Sequence, residues 1–232
     1  LKEIMFEIIS EINLELLKET AHYSLPIHIS NNDIEHKYLK NRHKISKKNI
    51  HEIPQIGVIN GLWANSMGLG GIIPIQCSYF PANNLLDLKL TGMQGDVMKE
   101  SMNVAKTLAW NLTDKKTQNL FIKNNNKSKN AGLHIHCPEG AVPKDGPSAG
   151  TAITIAIYSL INKNKIKNEI AITGEINLQG HITEIGGLEL KILGGLKAGI
   201  KTFLFPKTNH KDYIIFLEKY KNIDLTGIVF HE

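Results

Sequence analysis

At 232 residues with 42% hydrophobic side chains, the chain is long enough to bury a sizeable core without disulfide or metal staples. Its two cysteines, Cys77 and Cys137, lack a Cys-x-x-Cys or neighbouring-His ligand pattern, which argues against a disulfide framework and suits a reducing compartment. A net charge of +5 is spread thinly, and no apolar run reaches the length of a membrane span or follows a signal-peptide pattern, so the expectation is a soluble domain with no membrane partner. Residue 1 is Leu rather than Met, and the chain is expected to be an excised piece whose targeting signal, if any, lies upstream.

Leu1, Ile4, Met5, Ile8, Ile9, Ile12 and Leu16 recur at three- and four-residue intervals among Glu and Lys, which predicts an amphipathic helix over residues 1–20. From Tyr23 to residue 56 the pattern lapses. Ile27-His28-Ile29 reads as a short strand and Asn32-Asp33-Ile34-Glu35 as a turn into a brief helix, so 23–56 is taken as a linker. Lys37, Lys40, Arg42, Lys44, Lys47 and Lys48 make it basic. Nucleic acid is a weakly supported partner, since no aromatic residues interleave with the charges as a stacking surface requires.

Gly57–Leu62 and Gly71–Cys77 read as a hairpin, with Gly68, Gly70 and Gly71 as turn glycines; no helix and no P-loop lysine follow them. Leu85–Leu90 alternates as a half-exposed strand. Residues 94–112 form a helix whose buried face is Val97, Met98, Ser101, Met102, Ala105 and Leu108, and the tract Lys123–Asn130 is a mobile surface loop. Leu133–Cys137 alternates by two, which puts His134 and His136 on one side of a strand. Further on, the pattern predicts a strand at 169–173, a hairpin turning at Gln179-Gly180, a helix from Gly187 to Ala198, a strand at 202–206, a helix near 211–220 and a strand at 227–230. The fold class is therefore α/β (α+β), a mixed β-sheet flanked by helices.

Pro143-Lys144-Asp145-Gly146-Pro147-Ser148-Ala149-Gly150 carries the strongest chemical signal. Gly146 permits a backbone shape that other residues resist, Pro147 suits the first turn of a helix, and the apolar run Ala152–Ile157 follows, so Ser148 sits at a helix start. Backbone N–H groups around Asp145–Ser148, with Gly146, Pro147 and Ala149 as the flanking backbone, then face an oxyanion forming beside the hydroxyl. The same serine serves equally as an N-cap. A neutral lysine is one base that activates such a hydroxyl, and Ile185, Leu188, Leu190, Ile192 and Leu193 surround Lys191 with the apolar side chains that depress an amine's pKa. Thr173 ends a strand and is placed to hydrogen-bond that amine. Two rivals use His136: a metal site with His134, for which no third ligand of suitable spacing is found, and a Ser148–His136–Asp145 triad.

Gly140–Gly150, Thr173-Gly174-Glu175 and Lys191 in its Gly-Gly-Leu-rich helix start together resemble the proteolytic domain of the Lon proteases, over about residues 57–230. The resemblance implies a serine endopeptidase with a Ser148–Lys191 dyad acting on unfolded or damaged proteins, with Thr173, Asp145, His134 and His136 in support. It further implies that residues 1–56 are the end of an ATPase module and its linker and that 57–232 are the protease. ATP and Mg are then expected of the missing module, no cofactor or metal of this piece, and a homo-oligomer, as a hexamer, of the full-length protein. The compartment is the mitochondrial matrix in a eukaryote or the cytoplasm in a bacterium. In the family the first strand of this region lines the substrate groove, which carries over to Leu62, Trp63 and Ala64. This chain reads Gly-Leu-Trp-Ala at 61–64 where the family reads Gly-Leu-Ala-Trp, which leaves open the face Trp63 takes and with it the groove's shape. The competing readings are a non-catalytic Lon-like platform of the kind found in DNA-repair ATPases, a Ser-His-Asp hydrolase, and a module serving chiefly for oligomerisation.

Overall fold

Strands rich in Ile, Leu and Val build the sheet on which everything else is laid. The computed structural model describes residues 2–38, 49–125, 130–138 and 145–232. They belong to two units, 1–46 and 47–232. The basic run from 39 to 48, the asparagine-rich 126–129 and residues 139–144 before the serine lie outside the described residues.

In the first unit, α1 spans Lys2–Leu17, followed by a single helical turn α2, Asn31–Asp33, running into a wider π-type turn at Ile34–Tyr38. Ile8 and Ile12 are buried, whereas Met5, Ile9 and Leu16 of the expected stripe are exposed. Lys37 Nζ donates to Glu15 Oε2 at 2.8 Å and lies 2.9 Å from the Tyr23 hydroxyl, and Tyr23 also donates to Glu15. No strand forms at Ile27–Ile29.

The second unit contains β1 (Gln55–Ile56), β2 (Val58–Ala64), β3 (Gly70–Ala82), β4 (Leu88–Thr91), α3 (Asp96–Leu112), α4 (Lys115–Asn125), β5 (Asn130–His136), α5 (Gly150–Asn162), β6 (Lys165–Ile166), β7 (Ile170–Ile172), β8 (Glu175–Ile176), β9 (Ile182–Thr183), α6 (Leu188–Ala198), β10 (Thr202–Leu204), α7 (His210–Lys219) and β11 (Val229–His231). Seven strands form one mixed sheet in the order β11-β10-β7-β2-β3-β5-β4. Residues 49–56, placed in the linker by the sequence pattern, lie on this unit: β1 pairs with β6, and Asn168 donates to the His51 carbonyl at 2.7 Å.

Alternation along the strands sorts side chains to two faces. Ile59, Ile73, Ile75, Leu133 and Ile135 pack with Met98 and Met102 of α3 and Ile153 and Ile157 of α5. Leu62, Ile72, Ala171 and Phe203 pack on the other face with Leu188 and Ile192 of α6 and Phe216 of α7.

Several sequence expectations are corrected here. In α3 the buried residues are Met98, Met102, Ala105, Leu108 and Ala109, while Val97 lies on the outer side, 43% exposed. Lys123–Asn125 are not loop but the last turn of α4, a helix whose polar sequence hid it, and Asn130 already belongs to β5. The strand at 85–90 is reduced to β4, because Leu86 takes a positive φ in a turn closed by Asp87 N–H to the Asn84 carbonyl.

Gly70 and Gly71 are strand residues and not turn residues. A Cβ on Gly70 would lie 2.0 Å from the Leu190 carbonyl oxygen, and one on Gly194 would lie 2.2 Å from the Gly70 carbonyl carbon. Helix α6 therefore meets β3 backbone to backbone. We expect Gly70→Ala to lower the unfolding free energy by about 3 kcal/mol, because neither backbone has a side chain that can rotate aside. Urea melts would show it; an unchanged midpoint would mean that α6 slides freely on β3.

Candidate active site

The carboxyl ends of the parallel neighbours β2 and β7 lie at the same end of the sheet, and chain elements from both faces converge there. From one face comes Ser148, in a 3-10 turn at Pro147–Ala149 that continues directly into α5. Gly146 before it has φ 118°, ψ 153°, a backbone state that only glycine adopts without strain. The turn is held against the end of β7: Gly174 N–H donates to the Ser148 carbonyl at 2.8 Å, and the Thr151 N–H and hydroxyl both donate to the Gly174 carbonyl, at 3.1 and 2.8 Å. Ser148 itself is half-buried.

From the other face comes Lys191, on α6. The entry to that helix is fixed by Asn209, which accepts from Ile185 N–H at 3.0 Å and donates to the Ile185 carbonyl at 2.9 Å. Lys191 is only 4% exposed and its Nζ donates to Thr173 Oγ1 at 3.0 Å. Thr173, 1% exposed, in turn donates to the Ser148 carbonyl at 3.3 Å. Burial pushes the lysine's pKa down from 10.5 to about 8, because the charged amine loses its hydration. Ile185, Leu188 and Ile192, expected as its apolar surroundings, are all buried. Thr173 thus joins the amine to the serine turn. Among the described residues no hydrogen bond runs directly between the Ser148 hydroxyl and Lys191.

Two of the three expected backbone groups are not free donors. Pro147 has no N–H, and the Gly146 N–H is turned to Asp145 Oδ1 at 3.0 Å. The N–H groups of Ser148 and Ala149, first in the helical turn, have no acceptor among the described residues.

The histidines are engaged elsewhere. Thr91 Oγ1 lies 2.9 Å from His134 Nε2 and 2.7 Å from His136 Nδ1, bridging the two rings from the neighbouring strand. Burial, then Lys89 and His136, hold His134 below its usual range. Asp145 bonds to Met98 N–H at 3.0 Å and to Gly146, not to a histidine. Among the described residues no three His, Cys, Asp or Glu side chains come together as metal ligands would.

The family model of the Lon protease (S16) C-terminal proteolytic domain matches residues 28–227. The chain belongs to the Lon protease family. A Lon protease homolog of Acanthamoeba polyphaga mimivirus is 42% identical over 206 residues, covering 84% of this chain and 19% of its own. The Lon protease of Mesomycoplasma hyopneumoniae strain 232 is 38% identical over 180 residues, covering 78% of this chain and 20% of its own. Lon protease homolog 3, mitochondrial, of Arabidopsis thaliana is 38% identical over 177 residues, 75% of this chain and 18% of its own. The chain therefore spans about a fifth of the length of these Lon relatives.

Within this Lon domain the register places the residues expected along the groove. Gly61 pairs with Ile172, so Leu62 is level with Thr173 and Trp63 and Ala64 lie just beyond it. Leu62 is buried on the α6 face, and Ala64 meets Gly187, where an added Cβ would come within 2.9 Å. Trp63 alternates to the α5 face, the side of Ser148. Its ring lies over Gly71, it donates to the Ile72 carbonyl at 3.2 Å, and it stays 36% exposed. Thr91 and Gly70, which the sequence reading did not place at the site, have no local signal: one depends on strand register and the other on a helix arriving from 120 residues later.

Proposed function

We propose that this domain hydrolyses peptide bonds of unfolded polypeptides, with Ser148 as nucleophile and Lys191 as general base. The observation that carries the reading is the buried Lys191 amine, held at Thr173 beside the serine turn with its pKa pushed down to about 8. A neutral amine has two hydrogens and one lone pair, so in the reacting arrangement it keeps its donation to Thr173 while the lone pair is offered to the Ser148 hydroxyl. Ser148 Oγ attacks the substrate carbonyl carbon as its proton passes to Nζ. The oxyanion is met by the N–H groups of Ser148 and Ala149. Collapse expels the amine product, which takes the proton from Nζ, and leaves an ester on Ser148; water, deprotonated by Lys191, then hydrolyses it and restores both residues.

The partners of His136 and Asp145 support this reading over a Ser-His-Asp arrangement, since neither hydrogen-bonds the other. Gly68–Gly71 run from a hairpin turn into β3 with no helix N-terminus behind them, and we assign ATP and Mg to the ATPase module proposed upstream. In the full-length protein we place residues 1–46 at the end of that module and its linker, with a six-membered ring as the assembly. The compartment we propose is mitochondrial in a eukaryotic source, as the Arabidopsis relative's name reads, with the matrix as the place within it, and the cytoplasm in a bacterial one. A fluorophosphonate probe tests the chemistry directly. It is expected to label the chain at Ser148 in peptide mapping, whereas a chain that stays unlabelled while folded would be the non-catalytic platform.

A further inference from the structure

We infer that Asp145 is a positioning residue that caps helix α3 from another part of the chain and so fixes the exit of the serine loop. This rests on Ser148 being the reacting residue. Helix α3 begins after Gly95, which has no side chain to satisfy the first N–H groups. That place is taken by Asp145, 47 residues away in sequence, whose Oδ1 accepts from Met98 N–H at 3.0 Å. The fit excludes a side chain at 95: a Cβ there would lie 2.3 Å from the Asp145 carboxyl carbon. The same Oδ1 accepts from Gly146 N–H, the residue whose unusual backbone turns the chain into Pro147 and Ser148.

The other end of the loop is tied to the same segment. Cys137 N–H donates to the Thr91 carbonyl at 3.1 Å and His136 bonds the Thr91 hydroxyl, while Gln94 folds back on the Thr91 carbonyl at 2.6 Å. Residues 91–98 thus hold the strand that enters the loop through Thr91 and the turn that leaves it through Met98. An ordinary capping residue serves its own helix. This one spends its carboxylate on a helix that belongs to a different part of the chain, and what it gains is a fixed position for the backbone three residues before Ser148.

The cap and the tether separate in a double variant. Asp145→Ala removes both. Adding Gly95→Ser, in the space the carboxylate vacates and at an extended φ of −72° suited to an N-cap, returns a local cap without the tether. With the 232-residue chain, Asp145→Ala is expected to lower Tm, and Asp145→Ala/Gly95→Ser to recover it. In both, kcat on an unstructured fluorogenic peptide falls at least tenfold with KM within about twofold, because the turn and not the groove has loosened. Amide hydrogen exchange of 145–150 should quicken in the double variant while Met98 regains protection. Wild-type kcat and wild-type exchange at 145–150 in the double variant would overturn the proposal, leaving Asp145 as a stabilising cap only. If the parent chain hydrolyses no peptide, the reading of Ser148 fails, and the exchange result still decides whether Asp145 holds the turn.

Discussion

Ser148→Ala leaves the fold intact and removes peptide hydrolysis. The turn that carries Ser148 is held by backbone groups, Gly174 N–H to the Ser148 carbonyl and Thr151 to the Gly174 carbonyl, and none of these needs the hydroxyl. The hydroxyl has no hydrogen bond among the described residues, so its loss leaves no buried partner unsatisfied. Tm should therefore stay within about 2 °C of the parent, the range of an ordinary half-buried substitution. Turnover of an unstructured peptide should drop by about a thousandfold or more, because no other group takes over a nucleophile's part in a covalent pathway. Circular dichroism melts and a fluorogenic peptide assay check the pair of outcomes. A folded variant that still turns over substrate would end the assignment of Ser148.

Lys191→Met abolishes hydrolysis and makes the protein more stable. Below pH 8 the lysine carries its proton in both folded and unfolded chains, and burying the charge opposes folding in full. A fall from 10.5 to about 8 corresponds to roughly 3.5 kcal/mol at about 1.4 kcal/mol per pH unit, less the Thr173 hydrogen bond that the methionine also forfeits. Between pH 8 and 10.5 the unfolded chain binds more protons than the folded one, so the parent gains stability with rising pH and the variant's advantage shrinks. Melts at pH 7 and pH 9.5 should show a Tm gap that narrows at the higher pH, and parent hydrolysis should climb through pH 8 as the amine loses its proton. Lys191→Arg keeps a permanent charge in the same pocket and should be both inactive and less stable. His136→Gln should retain turnover. If the lysine variants kept their rate and the histidine variant lost it, a Ser148–His136 arrangement would replace the pair.

The sequence makes the two groups proposed to react legible for local reasons. Gly146-Pro147 can only turn the chain into a helix start, and the apolar residues flanking Lys191 announce a buried amine on a short helix. Thr173 is read from its position at a strand end. What links these groups is non-local and leaves no local pattern. Thr91 reaches both histidines only because β4 pairs in parallel with β5, putting Thr91 level with His136. Gly70 reads as a turn glycine because nothing nearby says that a helix backbone will lie on it. Helix α4 escapes because Gln118 is its only buried residue, so it shows no apolar period. The Trp63–Ala64 order acquires meaning once the register assigns each to a face.

The layer that buries Lys191 is finished late in the chain. Helix α6 packs into a cluster that includes Phe203, Phe205, Phe216 and Phe230, and the Thr173 N–H donates to the Leu204 carbonyl at 3.0 Å. A nascent chain that has made its serine turn but not yet folded residues 202–231 keeps the lysine hydrated and protonated, at a pKa where it accepts nothing from a hydroxyl. On the proposed reading of Ser148 and Lys191, the base is complete only once residues 202–231 have folded, later than the serine turn that it serves.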